Sequence, residues 1–279
     1  MSIQSKEVTL HDGSKLDIQI YGEGPTILLP VNPTPIEAEQ AEALRQYGGD
    51  PALGKTLIDG LSDAFRVVAF DYEGHVLSQP MPDTLTPDNF AADMLAIADA
   101  AGADSFAYYG YSWLAMVGFQ LALRTNRLSA LMMGGYPPID GPFAEMMKVV
   151  TAANDASGGD PNAPLEDEWS TARMSKGQTQ QFVTLYAALQ GFDDRAALPK
   201  ITCPRLCFAG SGDEIEYADP WGGVLVSISG PMIRQRAELE ALGWDVYVLD
   251  GLDHMGAMHA TRVLSIIRPW LESKLIAAQ

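Results

Sequence analysis

The feature that most constrains this chain is a series of short, almost uninterrupted apolar runs: TILLP at 26–30, RVVAF at 66–70, SFAYY at 105–109, ALMMG at 130–134, RLCFAG at 205–210 and DVYVL at 245–249. A strand with one wet face alternates apolar and polar residues. Runs of this kind belong instead to strands buried on both faces, as in a parallel sheet. Parallel strands need long crossovers, and helix signals lie between the runs. Thr86 is placed to cap a helix with Pro87 at its first position, continuing through DNFAADMLAIADAAG to a glycine stop. WLAMVGFQLALRTN follows Ser112, PMIRQRAELEALG precedes the last run, and MHATRVLSIIRPWLESKL comes after it. This alternation predicts an α/β fold: a mostly parallel central sheet with helices on both faces. Ahead of it, KEVTL and KLDIQIY flank HDGS, a hairpin whose turn is supplied by Asp-Gly.

One segment breaks the rhythm. From about Pro137 to Lys200 no buried strand is visible, while AEMMKVVTAA, EWSTARMS and QTQQFVTLYAALQGF read as helical, with the polar loop NDASGGDPNAPLEDE after the first. Long inserts at the carboxyl ends of strands sit over ligand sites in α/β folds. The expected organisation is an α/β core from 1–136 and 201–279, with a helical cap insertion over 137–200. DPWGGVLVSISGP at 219–231 is longer than a simple connection requires and reads equally as an extra lid or an interface.

Charge and hydropathy narrow the classes of function. Thirty-six acidic against eighteen basic residues give a net charge of −18, which repels a phosphate backbone and predicts no nucleic-acid partner. No apolar run approaches the ~18 residues of a membrane span, and MSIQSKEVTL has neither the basic nor the apolar region of a secretory signal. The expectation is a soluble cytoplasmic protein with no membrane partner. Cys203 and Cys207 lie four apart with no histidine nearby, which predicts buried free thiols and no metal.

The chemistry converges on GYSWLA. Ser112 stands where an apolar strand meets an apolar helix, the setting of a nucleophile elbow, with Gly110 two residues before it and Ala115 suited to helix packing. Leu114 occupies a position where glycine is usual, and its branched side chain is expected to crowd the turn. A serine hydroxyl needs a base, and the base needs an orienting acid. His254 follows the last strand in VLDGLDHMGAMH, and Asp213 follows the preceding one in CFAGSGDEIEY. Asp140, after ALMMGGYPPID, is the alternative acid. The order Ser, Asp, His places each residue at the carboxyl end of a predicted strand, where the loops of a parallel sheet converge.

On these motifs, together with TILLPVNP, VVAFDYEGHVLS and GSGDE, the chain resembles the α/β-hydrolase fold superfamily over nearly its whole length. The resemblance implies Ser112 as nucleophile, His254 as general base and then acid, and Asp213 as the group that orients the imidazole. It also implies an oxyanion hole from the backbone N–H of Trp113 and of Asn32. LLPVNPT and YSWLA are similar to the HGNPT and GHDWG segments of haloalkane dehalogenases, whose Asn and Trp bind halide. Those enzymes use an aspartate nucleophile where this chain has Ser112, so acyl chemistry is expected. Two departures from the superfamily pattern are Pro30-Val31, where His-Gly is common, and Val76, where a second glycine is usual.

Around this centre Tyr111, His75, Met146 and Met147 are candidate substrate-binding residues, although Tyr111, Trp113 and the methionines suit packing as well. His75 also fits a structural hydrogen bond in its loop, and the Asn32 side chain either meets substrate or braces its proline-rich loop. The function expected is a cofactor-independent serine hydrolase acting on a small-molecule ester or lactone through an acyl-enzyme. Carbon-carbon bond hydrolysis or perhydrolysis on the same triad, and a silent ligand-binding homologue, are the alternatives.

Overall fold

The computed structural model describes residues 3–159 and 173–277. Its strands are β1 (Gln4–Thr9), β2 (Lys15–Tyr21), β3 (Thr26–Leu29), β4 (Arg66–Ala69), β5 (Phe106–Tyr111), β6 (Leu128–Gly134), β7 (Arg205–Gly210), β8 (Glu214–Tyr217), β9 (Val224–Ser227) and β10 (Trp244–Leu249). Eight of them form one sheet in the order β1-β2-β4-β3-β5-β6-β7-β10. The β1–β2 hairpin and the β2–β4 pair are antiparallel; every other pairing in this sheet is parallel. The six apolar runs of the sequence supply β3, β4, β5, β6, β7 and β10, which form the parallel part.

Helices are α1 (Ala38–Gln46), α2 (Leu53–Leu61), α3 (Tyr72–Ser78), α4 (Pro87–Ala101), α5 (Trp113–Ala122), α6 (Phe143–Ala156), α7 (Lys176–Ala187), α8 (Asp194–Ala197), α9 (Ser229–Arg234), α10 (Arg236–Ala241), α11 (His254–Met258) and α12 (Ala260–Leu271). They cover both faces because consecutive strand residues point to opposite sides. In β3, Ile27 and Leu29 pack with Leu57 and Leu61 of α2 and with Val263 and Ile267 of α12. Leu28, between them, belongs to the opposite core with Phe90 and Met94 of α4 and Val117 of α5. All three β3 side chains are fully buried, and burial of this kind contributes about 1.5–3 kcal/mol per side chain.

Helix ends follow their sequence signals. Thr86 accepts a hydrogen bond from the Asn89 N–H, Pro87 opens α4, and Gly102 ends it at φ 69°. Three features depart from the sequence-based expectation. DYEGHVLS, expected as a loop, forms α3, because Asp71 caps it by accepting from the Gly74 N–H at 2.9 Å. EIEY and VLVS, at and beyond the acid loop, pair as the β8–β9 hairpin. Two helices, α1 and α2, occupy the β3–β4 connection, which carried no expectation. Most of EWSTARMS and of the acidic loop before it lie outside the described residues.

Within the expected cap, α7 is tied to the core by its polar face. The fully buried Gln181 accepts from the Met81 N–H at 3.1 Å and donates to the Val76 carbonyl at 2.9 Å. Gln178 donates to the Leu77 carbonyl and Thr184 to the Pro82 carbonyl. The other end of the segment is held through Arg195 of α8, which pairs with Asp140 and with Glu238 of α10. No helix among the described residues is long and apolar enough to cross a membrane. Gln181→Ala leaves a buried N–H and a buried carbonyl without partners, a loss of about 1–3 kcal/mol. The expected outcome is a lower midpoint in urea denaturation at an unchanged slope; an unchanged midpoint rules out this anchoring.

Candidate active site

The site lies where the strand order reverses. The chain runs from β3 to β4 on one side of β3 and returns to β5 on its other side, leaving a crevice at the carboxyl ends of β3 and β5. Leu28 pairs with Tyr108 across these strands. Asn32 and Ser112 lie equally far along from that pair, so both emerge at the same crevice.

Ser112 immediately precedes α5 at φ 56° and ψ −129°, one of two non-glycine residues with positive φ among those described. A serine at a helix start ordinarily turns its hydroxyl onto the first turn. Here it makes no capping bond, and Ser112 lines a cavity of about 560 Å³. The strained turn is held by the Ser112 N–H donating to the Gly134 carbonyl at 2.8 Å, and by the Tyr108 hydroxyl donating to the Leu114 carbonyl at 2.9 Å. It also depends on Gly110, where a Cβ would lie 2.4 Å from the Leu114 carbonyl oxygen. The crowding expected of Leu114 does not arise, because its side chain is taken up in the cavity wall and the adjoining core.

The acid and the histidine arrive on neighbouring strands, since β7 and β10 pair in parallel from Trp244 with Arg205 to Leu249 with Gly210. Their loops are stitched together: the Ser211 N–H donates to the Leu249 carbonyl at 2.8 Å, and the Gly212 N–H to the Leu252 carbonyl at 2.9 Å. Asp213, fully buried, meets His254 Nδ1 with both carboxylate oxygens, at 2.9 and 3.0 Å. Burial pushes the Asp213 carboxyl up, and the hydrogen bond from His254 pulls it back down. Asp140, the alternative acid, is paired with Arg195 at 2.8 Å and is not the partner of His254. Asp253 is not the partner either; it caps α11 by accepting from the Gly256 N–H.

A carboxylate can only accept, so this pairing puts the imidazole proton on Nδ1 and leaves the Nε2 lone pair available. His254 lines the same cavity as Ser112. The Tyr111 hydroxyl donates to the His254 carbonyl at 2.7 Å, with its ring 5.1 Å from the imidazole. Room for both rings comes from Gly135 at φ 61°, where a Cβ would sit 2.5 Å from Tyr111 and 2.9 Å from His254.

The other expected residues divide. Asn32, Trp113, Tyr111 and Met146 line the cavity. The Asn32 side chain braces its own loop, accepting from the Thr34 N–H at 2.9 Å. The Val31 N–H is engaged by the Leu29 carbonyl, whereas the first N–H groups of a helix, Trp113 among them in α5, have no acceptor within their own helix. His75 is not in the cavity wall: it is buried, with Nε2 bonded to the Ser14 hydroxyl at 2.8 Å, so it joins α3 to the β1–β2 hairpin. Burial holds its imidazole below the ordinary range. Met147 also lies outside the wall and packs against the core.

The stretch 219–231, read from the sequence as an extra lid or an interface, contributes to the wall, and sequence reasoning did not place Ile215, Tyr217 or Glu73 there. Ile215, Tyr217, Val226 and Ile228 bring the β8–β9 hairpin over the cavity, and Glu73 of α3 faces into it. The two strands of that hairpin are short and separated by ADPWGG, which gives no hairpin signal in the sequence, and Glu73 had none either. Trp113 Nε1 donates to Glu73 Oε1 at 3.1 Å. The indole N–H that the dehalogenase-like segment associates with halide therefore faces a carboxylate. Among the described residues no cluster of three or more His, Cys, Asp or Glu forms a metal-binding group.

A family model described as the alpha/beta hydrolase fold matches residues 48–161, under half of the chain. A search of curated protein sequences finds no match. Solved structures similar to this one include a thermophilic esterase from Thermogutta terrifontis, at 19% identity and TM-score 0.61, covering 98% of this chain and 99% of the esterase. The N-acyl homoserine lactonase AidH is similar at 14% identity and TM-score 0.60, covering 99% of this chain and 98% of AidH. Epoxide hydrolases from metagenomes of hot environments match at 17% identity and TM-score 0.58, covering 99% of both chains. Three different chemistries on one scaffold show that the fold alone does not select among them. The family match, the strand order and these likenesses together establish that the chain has the α/β-hydrolase fold.

Proposed function

We propose that the chain is a serine hydrolase that cleaves a small ester or lactone through an acyl-enzyme. The observation that carries this reading is the Asp213–His254 pair, bonded through Nδ1 and sharing one cavity with a positive-φ Ser112 whose hydroxyl does not cap its helix. The Ser112 oxygen attacks the carbonyl carbon while His254 Nε2 takes the hydroxyl proton. The developing oxyanion lies against the N–H groups of Trp113 and Asn32, and Asp213 stabilises the imidazolium. The carbonyl–oxygen bond then breaks and the leaving alkoxide takes the proton from His254. Water, deprotonated by the same histidine, releases the acyl group as the carboxylic acid. No cofactor is needed for any of these steps.

The walls support a substrate with apolar parts. Ile36, Leu44, Leu53, Met146, Val150 and Met258 line the cavity, and its volume suits a small molecule. Among the described residues no lysine or arginine is in the lining, so an anionic acyl group meets no counter-charge from them. The helical insert over 137–200 acts as the cap that gives this space its roof, with Met146, Val150, Phe182 and Tyr186 contributing from α6 and α7. The likeness to an esterase and to a lactonase supports acyl transfer over the epoxide chemistry of other structural relatives, because the residue at the elbow is a serine.

A small fluorophosphonate is expected to add once to the protein, at Ser112 by peptide mapping, and the adduct is expected to disappear in His254→Ala. Ser112→Ala is expected to abolish ester turnover with an unchanged melting temperature; retained turnover refutes the assignment. Asp213→Asn keeps the shape of the side chain but lets the imidazole take the wrong tautomer. A fall in kcat of about 10⁴-fold is the expected outcome, measured by steady-state hydrolysis of an activated ester, and a change of less than tenfold assigns the acid elsewhere.

A further inference from the structure

Three carboxyl side chains that the proposed chemistry does not use line the cavity, Asp50, Asp71 and Glu73, and the surroundings of Glu73 differ from those of the other two. Asp71 is engaged in capping α3. Asp50 accepts from the Ala52 and Ala260 N–H groups at 3.0 Å each. Glu73 has no such role: the hydrogen bond to its carboxyl among the described residues is from the Trp113 indole, on the residue next to Ser112. Its side chain is accessible from the cavity. Phe182, also in the wall, meets the Trp113 ring edge-on with centroids 5.4 Å apart. A carboxylate beside aromatic rings, in a cavity with no lysine or arginine among its described lining residues, is the setting in which an organic cation is favoured, by charge pairing and by the negative faces of the rings.

We propose that Glu73, with Trp113 and Phe182, forms a subsite for an ammonium group, making Glu73 a specificity-determining residue. This deepens the serine-hydrolase reading and rests on it: the substrate is an ester whose acyl or alcohol part carries a positively charged nitrogen. Glu73 is accessible from the cavity, yet desolvation by the protein packed around it raises its carboxyl, with Asp71 adding to the effect and the Trp113 hydrogen bond opposing it. A bound cation beside the carboxylate opposes that shift by favouring the charged form.

The test uses an isosteric pair, the butanoate ester of 2-trimethylammonioethanol and 3,3-dimethylbutyl butanoate, which differ in charge and hardly in shape. Dissociation constants are measured by calorimetry on Ser112→Ala, which removes the proposed nucleophile, and on Ser112→Ala/Glu73→Gln. Gln keeps an oxygen for the Trp113 N–H, and melting temperatures confirm that both variants are folded. The expected result is binding of the cationic ester about tenfold or more tighter than its neutral partner, with the ratio falling to about one when Glu73 is replaced. Equal binding of the two esters overturns the inference, as does absence of detectable binding of the cationic one. A preference that survives Glu73→Gln also overturns it, assigning the selectivity to the overall negative charge. Fluorophosphonate labelling of Ser112 in the unmodified protein is read separately: labelling without cation preference removes the subsite alone, whereas cation preference without labelling removes the hydrolase reading.

Discussion

A buried carboxylate cannot be left unpaired, and Asp213 meets that requirement with one imidazole. Removing a carboxylate from water is costly unless its oxygens find donors. Both Asp213 oxygens lie against His254 Nδ1, at the ends of two strands that pair along their full length. The pairing gives the two loops a shared position, and the bonds from Ser211 and Gly212 to carbonyls of the histidine side keep it. The histidine loop is also tied to β5, the strand that leads into Ser112, because Tyr111 reaches across to the His254 carbonyl. Strand β5, the acid loop and the histidine loop thus form one mechanical unit. The strained Ser112 is supported from several directions, as a strained residue must be if its conformation is to persist.

Polarity is distributed in keeping with this arrangement. The sheet and its flanking helices provide two apolar cores, and polar groups in the crevice are few and mostly committed to caps or to one another. Among the carboxyl groups lining the crevice, Glu73 is the one engaged neither in a cap nor by backbone N–H groups of its neighbours. Desolvation by the surrounding protein keeps its carboxyl raised although it is accessible from the cavity, and among the described residues the Trp113 indole N–H is the donor that reaches it. On the far side, α7 uses glutamine and threonine to satisfy main-chain groups of the 76–82 segment. The proposed cap is thereby anchored at α3, the same helix that carries Glu73. Roof and acidic wall share one support.

Much of the fold was legible because its signals are local. Runs buried on both faces, a capped helix from Thr86 to Gly102 and an Asp-Gly hairpin each depend on residues close in sequence. What escaped depends on contacts at a distance. Helix α3 was obscured because DYEGHVLS contains a glycine and few apolar residues, yet the Asp71 cap and burial of Tyr72 and Val76 make it helical. The β8–β9 hairpin, with strands of four residues, lacked the length that marks a strand on its own. His75 stood near the expected rim in sequence, but in α3 it turns to the hairpin and to Ser14.

The sequence by itself determined the class of fold, the order Ser112, Asp213, His254 and the strand ends on which these residues stand, because hydrophobic periodicity and chain order are written residue by residue. Only the tertiary structure decided between Asp213 and Asp140 as the partner of His254. The choice depends on which carboxylate is buried against the imidazole and which is taken by Arg195. The tertiary structure also decided that Leu114 is accommodated, that His75 and Met147 lie outside the cavity wall, and that Glu73 lies in it beside Trp113. These are distances between groups far apart along the chain, set by packing, and no local pattern of residue types encodes them.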